Sequence, residues 1–523
     1  MNEGVNDYPS APGARVLIYS PWAAWRLHSD VDYFLARELR SSGSEVFLVA
    51  CNGSEQCHVR DLGATCESCM ALSDDSASHY SINRLYLDKR KHLNDELVEG
   101  VESLSSLEDI QNFEFMGAKV GVGVASTIAT FYRQEPKMLA QNRHALELAK
   151  KYLVDAVLTY LDIDSIIKEK AINRVVLFNG RLAPFFAALQ AAQKNACVTY
   201  VQERGFVESG YLYFNRGNCL DYSDFKERFG RFEGLYLTLD CYHDALSHVQ
   251  RKSLGFENAG PSFMAAIDAK PTKIQVNGGR QTIGVYTSSV DEAVFSDLDF
   301  VADQMGTIQK IIDNYADDFN IIIRHHPNLG GKGIGGGQKE LLYQMRECAK
   351  SYPGSVTVVW PEDAVNSHTL ASQLDVAVIP GSSMSVDLSA VGVPTIVHDR
   401  SSVSAGILSA LRYKNDDELL CAIENALTGK VHRVEIAERA LKFTYVMHIN
   451  TALRFGEVGW VLPQNGIRRS VGKLITDLNA QLICNCIIRG VPIEPELRVA
   501  SCVNGKISDN ALEFIRNITP QML

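Results

Sequence analysis

The sequence predicts a parallel α/β protein built from two successive units followed by a helical tail. Short apolar runs alternate with longer stretches of helical periodicity, the pattern of buried parallel strands joined by helices. Residues 255–279 are rich in Gly, Pro, Asn and Lys and indicate a linker between two such series. We therefore expect one unit at 1–265, a second at 266–425 and a mostly helical tail at 426–523.

The first unit contains four apolar runs that end at polar or glycine-containing turns, and each predicts a buried strand. These strands are Val16–Tyr19, Val46–Ala50, Val175–Phe178 and Val198–Val201. Helical periodicity predicts helices at about 30–41, 93–101, 117–132, 139–160 and 183–194. The rest of 51–112 is polar and is expected to be irregular, with a cysteine-rich insertion at 51–69.

The second unit repeats the alternation of apolar runs and helical stretches. Its predicted strands are Thr282–Tyr286, Asn320–Ile323, Val356–Val359, Val376–Ile379 and Thr395–Val397. Helices are expected at about 300–315, 338–350 and 366–373, and another begins near 386. Ligands of open parallel sheets bind at the carboxyl ends of the strands, so polar residues at those ends are the candidate functional residues.

Composition excludes several classes of protein. The 523 residues include 51 Lys or Arg and 62 Asp or Glu, a net charge of −11, and 46% are hydrophobic. This balance excludes a disordered or collagen-like chain and argues against binding to duplex nucleic acid. No apolar run reaches the roughly 18 residues of a membrane span, and the first residues lack the basic leader of a signal peptide. The 12 cysteines are therefore expected to be thiols or metal ligands in a reducing cytoplasm.

The segment PGSSMSVDLSAVGVP, residues 380–394, follows a predicted strand and opens a helix. The hydroxyls of Ser382, Ser383 and Ser385, with the N–H groups of the helix start, suit phosphate oxygens. Asp387 lies within the first turn, where its carboxylate suits a ribose or sugar hydroxyl. The alternative is an ordinary capped helix, with Ser as the N-cap and Asp opposing the helix dipole.

The segment RHHPN, residues 324–328, also stands at a strand end. Arg324 and the histidines His325 and His326 suit a phosphate through charge-assisted hydrogen bonds, unless one histidine is simply packed in the core. Ser288 follows the first strand of the second unit and is assigned to the same donor site.

In the first unit, polar residues at strand ends suggest a site for an acceptor. Glu203 in VQERGF is a candidate general base, although a salt bridge with a neighbouring Arg is an equal alternative. Asn179 and Arg181 in FNGR suit a hydroxylated acceptor, or else serve turn chemistry and surface charge. His28 and Asp30 follow the first strand and are further candidates for a base, with helix capping as the alternative for Asp30.

Taken in order, these motifs resemble those of bacterial GT-B-type glycosyltransferases, and more narrowly the capsule and surface polysaccharide biosynthesis proteins. The resemblance rests on RHHPN, PGSSMSVDLSAVGVPTI, FNGR with the Ala-rich helix after it, VQERG and the early cysteines, and it covers about residues 15–400. It implies two Rossmann-like domains facing a cleft, with a CMP- or NDP-sugar donor on the second and a glycan or lipid-linked acceptor on the first. It also implies a tail that packs partly back on the first domain.

The resemblance implies roles for particular residues. A His-Pro pair and a Ser-Ser pair hold the nucleotide phosphate in related sialyl- and Kdo-type transferases, and here they match His326-Pro327 and Ser382-Ser383. Many GT-B enzymes carry a donor-contacting Glu early in the following helix, where this chain has the shorter Asp387. No cofactor is required for such catalysis.

Three other functions remain open for this architecture: a nucleotide-sugar epimerase, a polyol-phosphate transferase, and a non-catalytic protein of a polysaccharide assembly complex. A transferase of this kind is expected to be cytoplasmic, to contact the inner membrane or other polysaccharide enzymes peripherally, and to bind no nucleic acid.

The insertion contains four cysteines, Cys51, Cys57, Cys66 and Cys69. The last two form a Cys-x-x-Cys pair, and His58 is an alternate metal ligand. Structural zinc, free thiols and a redox pair are the three interpretations. If zinc binds, the sulfurs converge to within about 4 Å of one another and the purified protein carries about one zinc. Elemental analysis tests this, and metal-free protein with sulfurs more than about 8 Å apart would leave ordinary thiols.

Overall fold

The computed structural model describes residues 13–53, 65–134, 139–207, 210–215, 217–221, 223–232, 234–254, 274–289, 304–330, 339–400, 411–454, 478–493, 502–504 and 506–523. Two sheets, built mainly of parallel strands, form its framework. The predicted class, α/β with two Rossmann-like units and a helical C-terminal part, is confirmed.

The first sheet has seven strands, of which five consecutive strands, starting from the β3 edge, are parallel in the order β3-β2-β1-β4-β5. The next strand, β6, pairs antiparallel with β5. The strands of this half of the chain are β1 (Arg15–Tyr19), β2 (Glu45–Ala50), β3 (Arg84–Tyr86), β4 (Arg174–Phe178), β5 (Val198–Arg204), β6 (Gly210–Phe214) and β7 (Leu235–Leu237), the last lying outside this sheet.

The second sheet has six strands, all parallel, in the order β10-β9-β8-β11-β12-β13. They are β8 (Thr282–Tyr286), β9 (Asn320–Arg324), β10 (Val356–Val359), β11 (Val376–Val378), β12 (Thr395–His398) and β13 (Arg412–Tyr413). Every residue of β8 and β9 is buried, as expected for parallel strands covered by helices on both faces.

Both sheets follow the same strand order, counted within each unit as three, two, one, four, five. The order reverses between β1 and β4 in the first sheet and between β8 and β11 in the second. On either side of such a switch point the chain leaves the sheet towards opposite faces, which opens a crevice at the carboxyl ends of the two strands. The fold therefore creates one candidate binding crevice on each sheet.

The helices cover the sheets and connect the two units. Those before the second sheet are Arg26–Ser41, Cys66–Tyr80, Asp95–Glu102, Leu107–Gln111, Val120–Tyr132, Arg143–Glu169, Ala183–Lys194, Ser223–Gly230 and Leu239–Ser253. Those of the second unit are Gln304–Tyr315, Lys339–Lys350, Met384–Ala390 and Asp416–Leu427, and those after it are Arg433–Phe443, Leu478–Arg489 and Asp509–Arg516. A π-helix, Thr444–Asn450, continues the helix Arg433–Phe443 directly.

After the second sheet the chain returns to the first. Strand β14 (Leu453–Arg454) pairs antiparallel with β6 and completes the seven-stranded sheet, and β15 (Cys502–Asn504) pairs with β7. The helix Leu478–Arg489 packs against the helix Arg26–Ser41, and two of its carbonyls accept hydrogen bonds from side chains of β4 and β5.

Several local expectations were wrong. The helix expected from Asp30 begins at Arg26, because Trp22 to Trp25 already form a turn, so Asp30 is no N-cap. The polar region thought irregular contains the helix Cys66–Tyr80, begun by a Thr65 capping box. Strand β5 extends to Arg204 because it pairs with β6, so Glu203 lies inside a strand. In the part of the chain that the structure describes, no helix is long and apolar enough to cross a membrane.

Candidate functional site

Asn179, at the carboxyl end of β4, organises the crevice of the first sheet. Asn179 and Gly180 both have left-handed backbone conformations, with φ of 61° and 67°. Asn tolerates this region better than most residues, and Gly adopts it without a steric penalty. The turn directs the Asn179 Nδ2 to Glu203 Oε2, at 2.7 Å, and the Asn179 Oδ1 accepts from the Arg181 N–H at 3.1 Å.

Glu203 lies beside Asn179 because β4 and β5 pair in register, with Phe178 opposite Gln202. Its carboxylate is half-buried and also accepts from the Arg204 N–H at 2.9 Å. Burial raises the pKa of Glu203, and the hydrogen bonds from Asn179 and Arg204 offset only part of that rise. A carboxylate of raised pKa at a crevice can take a proton from a hydroxyl group.

Arg181 has a structural role rather than the predicted contact with an acceptor. Its guanidinium is buried and donates to Ser126 Oγ at 3.0 Å and to Thr130 Oγ1 at 3.1 Å. Both hydroxyls belong to the helix Val120–Tyr132. Arg181 therefore ties the turn after β4 to that helix.

His28 and Asp30 have different surroundings although both lie on the helix Arg26–Ser41. The ring of His28 packs on Phe178, with centroids 3.7 Å apart, next to the turn at Asn179. Asp30 is buried and accepts from Arg26 Nε and Ser76 Oγ, both at 2.9 Å. Asp30 therefore joins two helices, and the prediction that it acts as a base at the crevice is corrected.

Asp32, one helical turn beyond His28, is a further acidic residue close to this crevice that was not predicted. Its side chain is fully buried and accepts from the Nε2 of Gln202, on the neighbouring β5. Burial raises the pKa of Asp32 well above its usual value, although hydrogen bonds with Ser20 and Gln202 oppose the rise. No motif marks Asp32, because its partner is 170 residues away in sequence.

On the second sheet, Arg324 and His325 turn inward and do not face the crevice as predicted. The Arg324 guanidinium, 1% exposed, donates to the Trp360 carbonyl at 2.6 Å, the Val365 carbonyl at 3.3 Å and Ser367 Oγ at 3.0 Å. His325 is buried and its ring stacks on Trp360 at 5.6 Å. Burial and the charge of Arg324 lower the pKa of His325 to about 3, so it is neutral at physiological pH.

Three of the predicted donor residues do lie partly exposed at the second crevice. They are His326, Ser382 and Ser383. The His326 N–H donates to Thr287 Oγ1 at 2.8 Å. Strand β8 lies between β9 and β11 and is parallel to both, so the His326 loop and the serine loop emerge at the same edge of the sheet, on either side of the residues that follow β8.

The remaining predicted donor residues are buried and have structural partners. Ser288 is held through its backbone by the side chain of Gln304. Ser385 Oγ donates to the Ser382 carbonyl at 2.8 Å, which fixes the serine loop. These two residues support the crevice and do not line it.

Asp387 forms a buried ion pair that was not predicted from the sequence. Lys252 Nζ lies 2.9 Å from Oδ1 and 2.7 Å from Oδ2 of Asp387, and His368 Nε2 lies 3.1 Å from Oδ2. Burial alone would raise the pKa of Asp387, yet Lys252 and His368 hold it well below its usual value. Asp387 is only 1% exposed, so the predicted contact with a ribose is unavailable in this conformation.

The proposed zinc ligands fall partly outside the described residues, because Cys57 and His58 are not among them. The thiols of Cys51, Cys66 and Cys69 are half-buried, and Cys69 Sγ accepts from the Ala24 N–H at 3.3 Å. Among the described residues, no group of three or more His, Cys, Asp or Glu side chains is placed to hold a metal ion. The zinc site stays a prediction.

Two doubly wound sheets, each with polar residues at its switch point, define a two-unit α/β protein with a Rossmann-like sheet in each unit. No protein-family model matches the chain, and no curated protein matches it in sequence.

Solved structures share parts of this fold at low identity. The β-Kdo 2,4 transferase KpsC of Thermosulfurimonas dismutans is 15% identical, over 53% of this chain and 79% of that chain, with a TM-score of 0.36. The UDP-GlcNAc 2-epimerase of Methanocaldococcus jannaschii, solved with UDP-GlcNAc and UDP, is 10% identical over 80% and 94%, with a TM-score of 0.32. A glycosyltransferase from Rickettsia africae is 8% identical over 84% and 96%, with a TM-score of 0.32. Likeness at this level does not assign a reaction to this chain.

The buried Asp32 predicts a pH dependence of stability. The pKa of Asp32 in the folded state is raised above its unfolded value of about 3.9. Between these two pKa values the unfolded chain has released a proton that the native state retains. The free energy of unfolding therefore falls as pH rises towards the folded pKa. Asp32→Asn keeps an acceptor for Gln202 and removes this loss. We expect the free energy of unfolding of the variant, relative to that of wild type, to rise by up to about 1.4 kcal/mol for each unit by which the pH is increased.

Urea denaturation between pH 5 and 8 measures this difference. Asp318→Asn is the matched control, because Asp318 is an exposed carboxylate. Parallel stability curves for Asp32→Asn and wild type would contradict a raised pKa for Asp32.

Proposed function

We propose that the chain is a glycosyltransferase that moves a sugar from a nucleotide-sugar donor to a glycan or lipid-linked acceptor in surface polysaccharide biosynthesis. The observation that carries the proposal is the pairing of two different crevices. One presents Glu203, a carboxylate of raised pKa, and the other presents His326, Ser382 and Ser383 as hydrogen-bond donors. A proton acceptor and a set of phosphate-binding groups are the two requirements of transfer from a nucleotide sugar.

The second crevice suits the leaving group. When the bond from the sugar to the nucleotide phosphate breaks, negative charge develops on the phosphate oxygens. Hydrogen-bond donors that are already oriented towards these oxygens before the reaction stabilise such charge most effectively. The imidazole of His326 and the hydroxyls of Ser382 and Ser383 supply these donors, while Ser385 and Thr287 hold their loops in place.

The first crevice suits the acceptor. A sugar hydroxyl attacks the anomeric carbon and loses its proton to Glu203, whose raised pKa brings it closer to neutral pH. Asn179 orients the carboxylate through the hydrogen bond to Oε2. The nucleotide leaves with the bonding electrons, so atoms and charges balance without a redox partner.

The two crevices are connected by contacts between side chains. Phe206, three residues after Glu203, stacks on His448 of the π-helix with centroids 4.0 Å apart. The ring of His448 lies 5.7 Å from that of His248, on the helix Leu239–Ser253. Near the end of that helix, Lys252 contacts Asp387 of the second unit. π-Helical turns are rare and frequently occur at functional sites.

His326→Ala tests the donor site. We expect nucleotide affinity or turnover to fall about ten- to a hundredfold, because a hydrogen bond to a charged phosphate contributes roughly 1.5–3 kcal/mol. Thermal shift with CMP, UDP, GDP and dTDP first identifies the nucleotide that wild type binds, and calorimetric titration then compares the variants.

His144→Ala is the matched control for His326→Ala, because His144 is exposed on the helix Arg143–Glu169. The donor site is wrong if His326→Ala binds the nucleotide as wild type does. Wild-type protein that binds none of the four nucleotides would favour a non-catalytic assembly role. Product analysis separates transfer from epimerisation, because only epimerisation proceeds without an acceptor.

Glu203→Gln tests the base. Gln retains an oxygen for Asn179 but accepts no proton, so we expect transfer to fall by about 10²- to 10⁴-fold with unchanged nucleotide affinity. The wild-type rate should fall as pH drops through the raised pKa of Glu203, whereas the residual rate of the variant should not follow that titration. An equal pH profile in both proteins would assign the base to another group.

A further inference from the structure

Lys252 reaches from the helix that precedes the linker to a helix of the second unit. Its ammonium contacts both oxygens of Asp387, and the side chains are 15% and 1% exposed. His368 occupies one of the same oxygens, at 3.1 Å. The direction of the Asp387 carboxylate is therefore fixed by two groups, Lys252 at 135 residues and His368 at 19 residues from it in sequence.

Asp387 is closely coupled to the serine loop of the second crevice. Its helix, Met384–Ala390, begins directly after Ser383. The Val386 N–H donates to the Ser383 carbonyl at 3.0 Å, and the Asp387 N–H contacts the same oxygen at 3.4 Å. The same first turn therefore carries Asp387, which is paired with Lys252, and is hydrogen-bonded to Ser383 of the serine loop.

The end of the helix Leu239–Ser253 is attached to the second unit at a second point. Asn366 Nδ2 donates to the Ser253 carbonyl at 2.7 Å, and Asn366 is itself buried. The other end of this helix is fixed by Tyr242, whose hydroxyl lies 2.6 Å from Glu438 of the tail. The helix is thus held at both ends, and Lys252 projects from a rigid support.

We propose that Lys252 is a positioning residue for the donor-binding loop: through Asp387 it sets the geometry of Ser382 and Ser383, so that donor binding by the second unit depends on a contact from the first. This inference rests on the proposed function. The contact that Lys252 makes in this structure is with the carboxylate of Asp387.

Lys252→Met tests the inference, with Lys252→Arg as the conservative variant. Lys252→Met leaves the buried carboxylate of Asp387 without its main partner, and we expect nucleotide affinity to fall about tenfold because the loop is misplaced. Lys252→Arg retains the charge and should recover most of the affinity. The probe is whichever of CMP, UDP, GDP or dTDP wild type binds, titrated by calorimetry, with the melting temperature recorded in parallel.

Lys89→Met separates positioning from stability. Lys89 and Asp155 form another buried pair, at 2.8 Å, within the first unit, with side chains 5% and 9% exposed. Loss of the Lys89–Asp155 ion pair should lower the melting temperature without changing nucleotide affinity. If Lys252→Met lowers the melting temperature in the same way and binds nucleotide as wild type does, Lys252 is purely structural and the inference is wrong.

A double variant keeps the test decisive if Lys252→Met folds poorly. Lys252→Met with Asp387→Leu strands no buried charge, so its melting temperature should return towards that of wild type. Its nucleotide affinity should remain about tenfold reduced, because the contact that positions the loop is still missing. Recovery of affinity together with stability would overturn the inference.

Two further outcomes are informative. Tighter nucleotide binding by Lys252→Met would mean that release of Asp387 lets its carboxylate contact the donor directly, and this also overturns the positioning role. Wild-type protein that binds none of the four nucleotides would instead remove the proposed function itself. The two failures are therefore distinguishable by the wild-type titration alone.

Discussion

The reversal of strand order at the centre of each sheet determines where chemistry can occur in this protein. Parallel strands need long crossover connections, and these connections are right-handed almost without exception. Winding outwards from β1 and from β8 in both directions therefore places helices on opposite faces and leaves an opening beside the starting strand. Asn179 and Glu203 stand at one opening, and His326 and the serine loop at the other.

Part of this arrangement could be predicted from the sequence. The apolar runs of the parallel strands identified both series, because a strand buried on both faces needs continuous hydrophobic residues. Strand β14 was missed, because Leu453 pairs with Tyr211, more than 200 residues earlier in the chain. Such pairing depends on tertiary structure and leaves little local pattern.

Site residues were harder to predict than strands because a strand end does not fix the direction of a side chain. Arg324 and His326 are two residues apart and share a motif, yet one satisfies buried carbonyls and the other remains accessible. The loop of Trp360 leaves carbonyls that need a donor, and Arg324 supplies it. Lys252 and Asp387, 135 residues apart, could not be paired from sequence without the fold.

The late return of the chain to the first sheet has a consequence for biosynthesis. Strand β6 ends at Phe214, but its outer neighbour β14 begins only at Leu453. At roughly 5–20 residues per second, a ribosome takes on the order of tens of seconds to make the intervening segment. Throughout that interval Gly210 and Tyr211 of β6 lack the strand that pairs with them in the complete fold, and unpaired strand edges can recruit a strand from another nascent chain. Chaperone occupancy of this edge during translation would keep neighbouring chains on a polysome from pairing through it.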